Sequence, residues 1–243
     1  MEKSGVAIRH VVKWPLGSQR KDDDLFGSSW KGNFLEHRSS RQFRLLSNNV
    51  RPGGVQQMYS GTGIEDIQID RGSVADAAKL AAFAARSFDE AFAANNNPDD
   101  LRAHLVETYG PAQQAAELAD SAVVTILARS GEDLVAYAQV RRSSPPPCVN
   151  HEAPVELHRF YLDTRLHGTG LASRLMRAVH RAAEELHGRH IWLGVWEQNP
   201  RAIAFYKKES FVDVGTTYFM VGPDKQSDRV LVAEVTSQNL DVD

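Results

Sequence analysis

From Ile64 onward the chain alternates between two hydrophobic periods, and the alternation predicts its elements. Ile64 to Ile69 is a short candidate strand. Ser73, with Asp76 three residues on, forms a capping pattern for an Ala-rich helix that runs to about Ala94. Asn95 to Pro98 breaks that helix, and further helices are expected near 98–108 and 111–120. Ala122 to Ala128 and Leu134 to Val140 read as two strands of a hairpin across a Ser-Gly-Glu-Asp turn. Ser143 to Ala153, with three consecutive prolines, reads as a loop. The second half then predicts strand 154–162, helix 170–187, strand 190–196, helix 200–209, strand 211–221 and a last strand near 229–235. Leu171, Leu175, Val179, Ala182 and Leu186 recur at three and four residues, so the helix that carries them has one apolar face for a sheet. Strand–helix–strand alternation predicts an α/β layered fold with at least one parallel pair, and the early hairpin makes the sheet mixed. No internal repeat is visible.

Residues 1 to about 62 show neither period. Their apolar residues are scattered among Gly, Ser, Asn and Arg, and Trp14, Trp30 and Phe43 are too isolated to build a core. Two readings stand: a basic arm that binds a partner, or a disordered extension from a start assigned upstream, with Met58 as the alternative start. The expected organisation is therefore an extension over 1–62, one domain over 63–236 and a short tail over 237–243.

Composition narrows the class. At 243 residues, 42% hydrophobic and 24% charged, the chain matches an ordinary soluble protein. No window approaches eighteen apolar residues, and the segment after Met1 lacks the apolar core of a secretory signal. The single cysteine, Cys148, can form no internal disulfide and has no metal-ligand cluster around it. A cytoplasmic protein without a membrane partner is the expectation. The net charge of −3 is uneven: residues 1–57 carry four Lys and six Arg against five acids, a net of +5, so residues 58–243 sum to −8. An acidic domain argues against nucleic acid as a partner and suits a cationic small molecule.

The chemistry concentrates at two places. Arg165-Leu166-His167-Gly168-Thr169-Gly170-Leu171-Ala172 joins the expected strand 154–162 to the helix after it. Glycines at a helix start let backbone N–H groups converge where the helix dipole favours a phosphate, so a pyrophosphate-bearing cofactor is the first reading. The spacing fits neither common nucleotide motif, since Ser173 stands where a dinucleotide fingerprint needs a third glycine or alanine and no Lys follows Gly170. About thirty residues on comes Asn199-Pro200-Arg201-Ala202-Ile203-Ala204-Phe205-Tyr206, with Phe211 beyond it. Arg-x-x-Gly-x-Gly-x-Ala followed by Asn-x-x-Ala-x-x-Phe-Tyr-x-x-x-x-Phe resembles the GCN5-related N-acetyltransferase (GNAT) superfamily, over roughly residues 64 to 235. Ile191 to Glu197 running into Ala202 to Lys208 looks closest to the PaiA-type polyamine (spermidine/spermine) acetyltransferases.

The resemblance implies a mixed, mostly antiparallel sheet of about six or seven strands, helices on both faces, and fourth and fifth strands that splay apart to admit acetyl-CoA. It implies that the backbone of Phe160, Tyr161 and Leu162 pairs with the pantetheine arm. The amides of His167, Gly168, Thr169, Gly170, Leu171, Ala172 and Ser173 would hold the pyrophosphate, with Arg165 heading the motif; a solvated loop cation is the other reading of Arg165. Asn199 would contact the cofactor as well as cap the helix that Pro200 opens. Tyr206 falls at the position that protonates the departing thiolate, a task suited to a phenol with an ordinary pKa of about 10. Strand alternation puts Glu156, His158 and Phe160 on one face, and Glu156 and His158 are the candidates to deprotonate the amine. No metal is implied. Two departures from the family pattern stand out: Ser210 and Ala136 occupy positions that are often glycine.

The expected activity is direct acetyl transfer from acetyl-CoA to a primary amine in a ternary complex. Asp89, Glu90, Asp99, Asp100, Glu152 and Asp224 are the acids available to hold a spermidine-like acceptor. The rival readings are acetylation of a protein N-terminus or lysine, acetylation of another small metabolite or antibiotic amine, and a non-catalytic module that binds acyl-CoA. Unfilled sheet edges suit a homodimer.

Overall fold

The computed structural model of the chain describes residues 66–92, 105, 108–221 and 224–236. The expected extension over 1–62, the tail over 237–243 and most of the expected helix 98–108 lie outside the described residues, although Leu105, Thr108 and Tyr109 are helical.

Seven strands form one sheet: β1 (Gln68–Arg71), β2 (Val123–Ser130), β3 (Asp133–Arg141), β4 (Pro154–Leu162), β5 (His190–Trp196), β6 (Val212–Val221) and β7 (Asp224–Glu234). Their order across the sheet is β1-β2-β3-β4-β5-β7-β6. Every neighbouring pair is antiparallel except β4 with β5. The helices are α1 (Ala77–Phe92), α2 (Pro111–Ala119), α3 (Leu171–Glu185) and α4 (Pro200–Lys208). The parallel pair is the one whose connection contains α3, as a crossover requires.

Helices cover both faces. The predicted stripe of α3 is buried along its length, with Met176, Ala178 and Ala183 added to it. It packs on Ala136, Ala138, Leu157, Phe160, Ile191 and Leu193, and Ala202 and Tyr206 of α4 belong to the same core. On the opposite face Leu80, Phe83, Ala84 and Phe88 of α1 cover Leu127, Tyr137 and Tyr161. Full burial of a Leu side chain contributes about 1.5–3 kcal/mol, so the α3 face is a main source of the fold's stability. Asp76 accepts hydrogen bonds from both the amide and the hydroxyl of Ser73 (2.9 Å each), which secures the entry to α1 as its sequence pattern predicted.

Three differences from the expectations have local causes. The first strand spans 68–71 rather than 64–69, because these residues pair with Arg129 back to Ile126 on β2. The last strand begins at Asp224, not near 229; the polar stretch 224–228 joins it as a hairpin arm against β6, through pairing that side-chain alternation does not encode. The third difference alters the site. Gln139 pairs with Arg159 while Val140 pairs with Leu157, so Leu157 and His158 together oppose Val140 in a β-bulge. The alternation along β4 reverses there. Leu157, Phe160 and Leu162 face α3, whereas Arg159 and Tyr161 face α1 and α2. Glu156 and Phe160 therefore lie on opposite faces, contrary to simple alternation.

Among the described residues no helix is long and apolar enough to cross a membrane.

Candidate active site

The ladder between β4 and β5 contains Pro154–His190, Val155–Ile191 and Glu156–Trp192, and it stops there. β4 continues to Leu162, still paired with β3, and β5 continues to Trp196, still paired with β7. Two strands anchored on their outer sides thus part along their inner sides, and the β4 bulge lies where they separate. The inner edge of β4 past Glu156 can take a ligand with strand-like hydrogen bonding.

The loop at the far end of β4 turns back on itself. Asp163 accepts from the Arg165 amide (3.0 Å), which starts the 3-10 turn Thr164–Leu166. The Arg165 guanidinium also closes on Asp163, donating from Nε at 2.9 Å. The Thr169 hydroxyl donates to the Leu166 carbonyl at 2.6 Å. Gly168 (φ +80°) and Gly170 (φ +92°) take left-handed conformations that other residues adopt only with strain. Among the described residues a Cβ built on either glycine meets nothing within 4 Å, so the backbone is open to close approach at both positions. The first backbone bond inside α3 is from the Arg174 amide to Gly170 (3.2 Å), which leaves the helix start open to an anion; the His167 amide is taken by the Thr164 carbonyl (3.2 Å), and the Leu171 amide faces the Thr169 hydroxyl at 3.5 Å. Burial and the nearby Arg201 push the His167 imidazole down to about 4, and that ring bonds the Leu162 backbone. Leu171 is buried in the core, Ala172 packs at its edge, and Ser173 donates to Glu209 at 2.6 Å.

α4 carries Asn199 and Tyr206. The Asn199 side chain accepts the Ala202 amide at 3.1 Å, the N-cap that Asn-Pro predicts. Tyr206 is 0% exposed, and its ring meets Phe160, Phe205 and Phe211 edge-on, so it flanks the part of β4 that has left β5. Among the described residues its hydroxyl has no hydrogen-bond partner. Burial raises its pKa well above the usual phenol value, so it holds its proton. The helix ends at once afterwards. Phe211 donates to the Tyr206 carbonyl (2.9 Å) and Ser210 to that of Lys207 (3.1 Å), with Ser210 left-handed at φ +67°. This Schellman closure explains why glycine is common at position 210, and the Tyr206–Phe211 ring contact is its usual hydrophobic partner.

On the opposite face of the sheet, Glu156 accepts from Arg141 at 2.8 Å and faces the His158 Nδ1 at 3.4 Å. Burial works to raise the Glu156 carboxyl, but His158 and Arg141 overcome it and hold the group at about 2. Burial, aided by Arg159 and Arg141, pushes His158 down to about 4 and keeps it neutral near pH 7. The two candidate bases are therefore one coupled unit. Trp192, the ladder partner of Glu156, shares this face with Val230 and Val232. So does Asp228 on β7, 0% exposed and 3.7 Å from where a Cβ on Gly194 would stand. The sequence reading missed Asp228. The signal available was Gly194 in the middle of an apolar strand, which marks close approach by a neighbour.

Of the acids named from sequence, the side chains of Asp89, Glu90 and Glu152 are described, and that of Asp224 lies outside the described residues. Glu152 pairs with Arg189 at 2.6 Å, near the closed end of the β4–β5 pair where Pro154 meets His190. Asp89 and Glu90 are exposed on the last turns of α1. Asp99 and Asp100 lie outside the described residues. Among the described residues, no group of three or more His, Cys, Asp or Glu is placed to hold a metal ion.

Comparison with known proteins agrees with this architecture. The Acetyltransferase (GNAT) family model matches residues 87–211. An uncharacterized N-acetyltransferase of Mycobacterium tuberculosis H37Rv (Rv2669) is 34% identical over 160 residues, which is 66% of this chain and 98% of that protein. Among solved structures, the PaiA N-acetyltransferase of Thermoplasma acidophilum in complex with coenzyme A superposes with a TM-score of 0.54. That match has 17% identity and covers 69% of this chain and 98% of the other. A probable acetyltransferase from Staphylococcus epidermidis gives 0.55 at 13% identity, covering 70% and 99%. At such identities the structural likeness speaks for the fold alone. With the family model spanning half of the chain and the mycobacterial relative matched almost end to end, this chain belongs to the GNAT family and is an N-acetyltransferase, of the class that draws its acetyl group from acetyl-CoA.

Proposed function

We propose that the enzyme acetylates a primary amine of a small cationic acceptor, of the polyamine class, by direct attack within a ternary complex. The observation that carries the reading is the Tyr206 hydroxyl, protonated, buried and without a partner among the described residues, beside the gap between β4 and β5. Acetyl-CoA supplies an activated thioester. The backbone of Phe160, Tyr161 and Leu162 offers it strand-like pairing, and the amides from Gly168 to Ser173 offer its pyrophosphate a cradle that Gly168 and Gly170 leave open, the His167 amide being taken by the Thr164 carbonyl. Arg165, closed on Asp163, and Asn199, the cap of α4, are the further residues assigned to the cofactor.

The two faces of the sheet then divide the labour. From the α3 side Tyr206 donates its proton to the sulfur as the C–S bond breaks. From the other side the amine nitrogen forms the new C–N bond and gives up its proton. The Glu156 carboxylate is committed to Arg141 and His158, so it orients the ring, and His158 accepts the proton through Nε2. The likeness in fold to a PaiA enzyme and the net −8 of residues 58–243 support a cationic acceptor.

The test is free-thiol release from acetyl-CoA with a panel of spermidine, spermine, N-terminal peptides and aminoglycosides, for wild type and Tyr206→Phe. Turnover of polyamines that collapses in the variant supports the reading. Turnover of peptides alone would discard the polyamine acceptor, and binding of acetyl-CoA without turnover of any amine in the panel would discard all of these acceptor classes.

A further inference from the structure

Among the described residues the Tyr206 hydroxyl has no hydrogen-bond partner, so the position of that oxygen depends on how the short helix α4 is held. At its start α4 is fixed to the sheet: Asn199 caps it, and the Asn199 amide bonds the carbonyl of Trp196 at the end of β5 (2.9 Å). At its other end the chain reverses through left-handed Ser210. Glu209 sits at that reversal, its amide on the Phe205 carbonyl at 3.0 Å, and its carboxylate reaches out of α4 to accept the Ser173 hydroxyl at 2.6 Å. Ser173 is in the first turn of α3, directly after Gly170. The carboxylate also raises His180, one and a half to two helical turns further along the same flank of α3, against the burial that lowers it.

The placement is electrostatically purposeful. A carboxylate at the C-terminal end of a helix opposes that helix's dipole, whereas one at an N-terminal end is favoured. Glu209 is at the unfavourable end of α4 and beside the favourable end of α3. Its side chain is thereby drawn across to α3, and a charged acceptor makes the resulting bond stronger than a neutral one.

We infer that Ser173 and Glu209 are positioning residues that set the distance between the phosphate-binding turn and the proton donor. The inference rests on the proposed role of Tyr206. The pair touches neither the acceptor nor the sulfur. It joins the two elements that must be in register, since the start of α3 locates the donor substrate and Tyr206 must meet its sulfur. Loosening the bond lets the end of α4 drift, and a displacement of about 1 Å can cost up to about a hundredfold in rate.

The experiment measures kcat and KM for acetyl-CoA by thiol release, with spermidine or the fastest amine of the panel as acceptor. Coenzyme A affinity by calorimetry and Tm are measured alongside. Glu209→Ala and Ser173→Ala are each expected to lower kcat about tenfold or more, with coenzyme A affinity changed less than about threefold. The double variant should be no slower than the worse single one, because both remove one bond. Glu209→Gln keeps an oxygen for the Ser173 hydroxyl and should recover most of the rate. The decisive comparison uses Tyr206→Phe as background, in which Glu209→Ala should have little further effect. A full, multiplicative penalty in that background would overturn the inference, as would wild-type kcat in Glu209→Ala or a loss confined to Tm. Wild-type kcat in Tyr206→Phe would instead overturn the role of Tyr206, and the inference with it.

Discussion

Removing one oxygen atom from Tyr206 should slow the enzyme and stabilise the protein at the same time. The hydroxyl is fully buried and makes no hydrogen bond among the described residues, while the ring is packed against Phe160, Phe205 and Phe211. Tyr206→Phe keeps those ring contacts. It removes a polar group whose burial without a partner costs about 1–3 kcal/mol in proteins. A small void where the oxygen stood offsets part of that gain, so a net stabilisation of about 1–2 kcal/mol is expected. For a domain of this size that is a rise in Tm of roughly 2–8 °C. Activity should move the other way. A positioned proton donor contributes about 10²–10⁴ in rate, or roughly 3–5 kcal/mol of barrier.

The assay is paired: Tm by calorimetry without substrate, and kcat by thiol release at fixed pH with saturating acetyl-CoA. The opposite signs are what make the prediction sharp, since damage to the fold lowers both quantities. A fall in Tm of a few degrees would mean that the native hydroxyl is hydrogen-bonded. An unchanged kcat would mean that the leaving sulfur takes its proton elsewhere. Either result refutes the reasoning for Tyr206.

Gly170→Ala places a side chain at φ +92° and over the mouth of the α3 cradle, so KM for acetyl-CoA should rise about tenfold or more while the acceptor KM stays within about threefold; steady-state kinetics with each substrate varied would check it. Ser210→Gly and His187→Gly each relieve a left-handed residue at a helix end (φ +67° and +58°) and should add about 1 kcal/mol in denaturant unfolding. Acid should weaken the fold partly through His158. Its folded pKa, about 4, lies below the ordinary value of 6.5, so its contribution is fully present above pH 6.5 and is lost as pH falls toward 4. Between pH 7 and 5 this one buried group should account for about 2 kcal/mol, and His158→Gln should lose that much less over the same interval in urea melts.

Much of this enzyme is legible along the chain because local physics writes it there. Period and capping mark α3 and α4, Asn199-Pro200 announces the start of one, and the Gly168–Gly170 pair announces the other. The buried stripe on α3 is the one its apolar spacing drew, since a helix must turn that face to a sheet. What the line of residues does not carry is anything decided between strands. The bulge opposite Val140 costs β4 its alternation and sends Glu156 and Phe160 to opposite faces. It exists because β3 and β4 must stay paired while β4 turns away from β5, a condition set by neighbours far along the chain. Asp228 joins the site for a like reason, through a register between β5 and β7 that polar residues do not reveal. The same holds for the hydroxyl of Tyr206. Sequence supplied a phenol in the right motif, but only the packing of three aromatic rings and two helices leaves its oxygen without a partner, because burial and hydrogen bonding belong to the assembled fold.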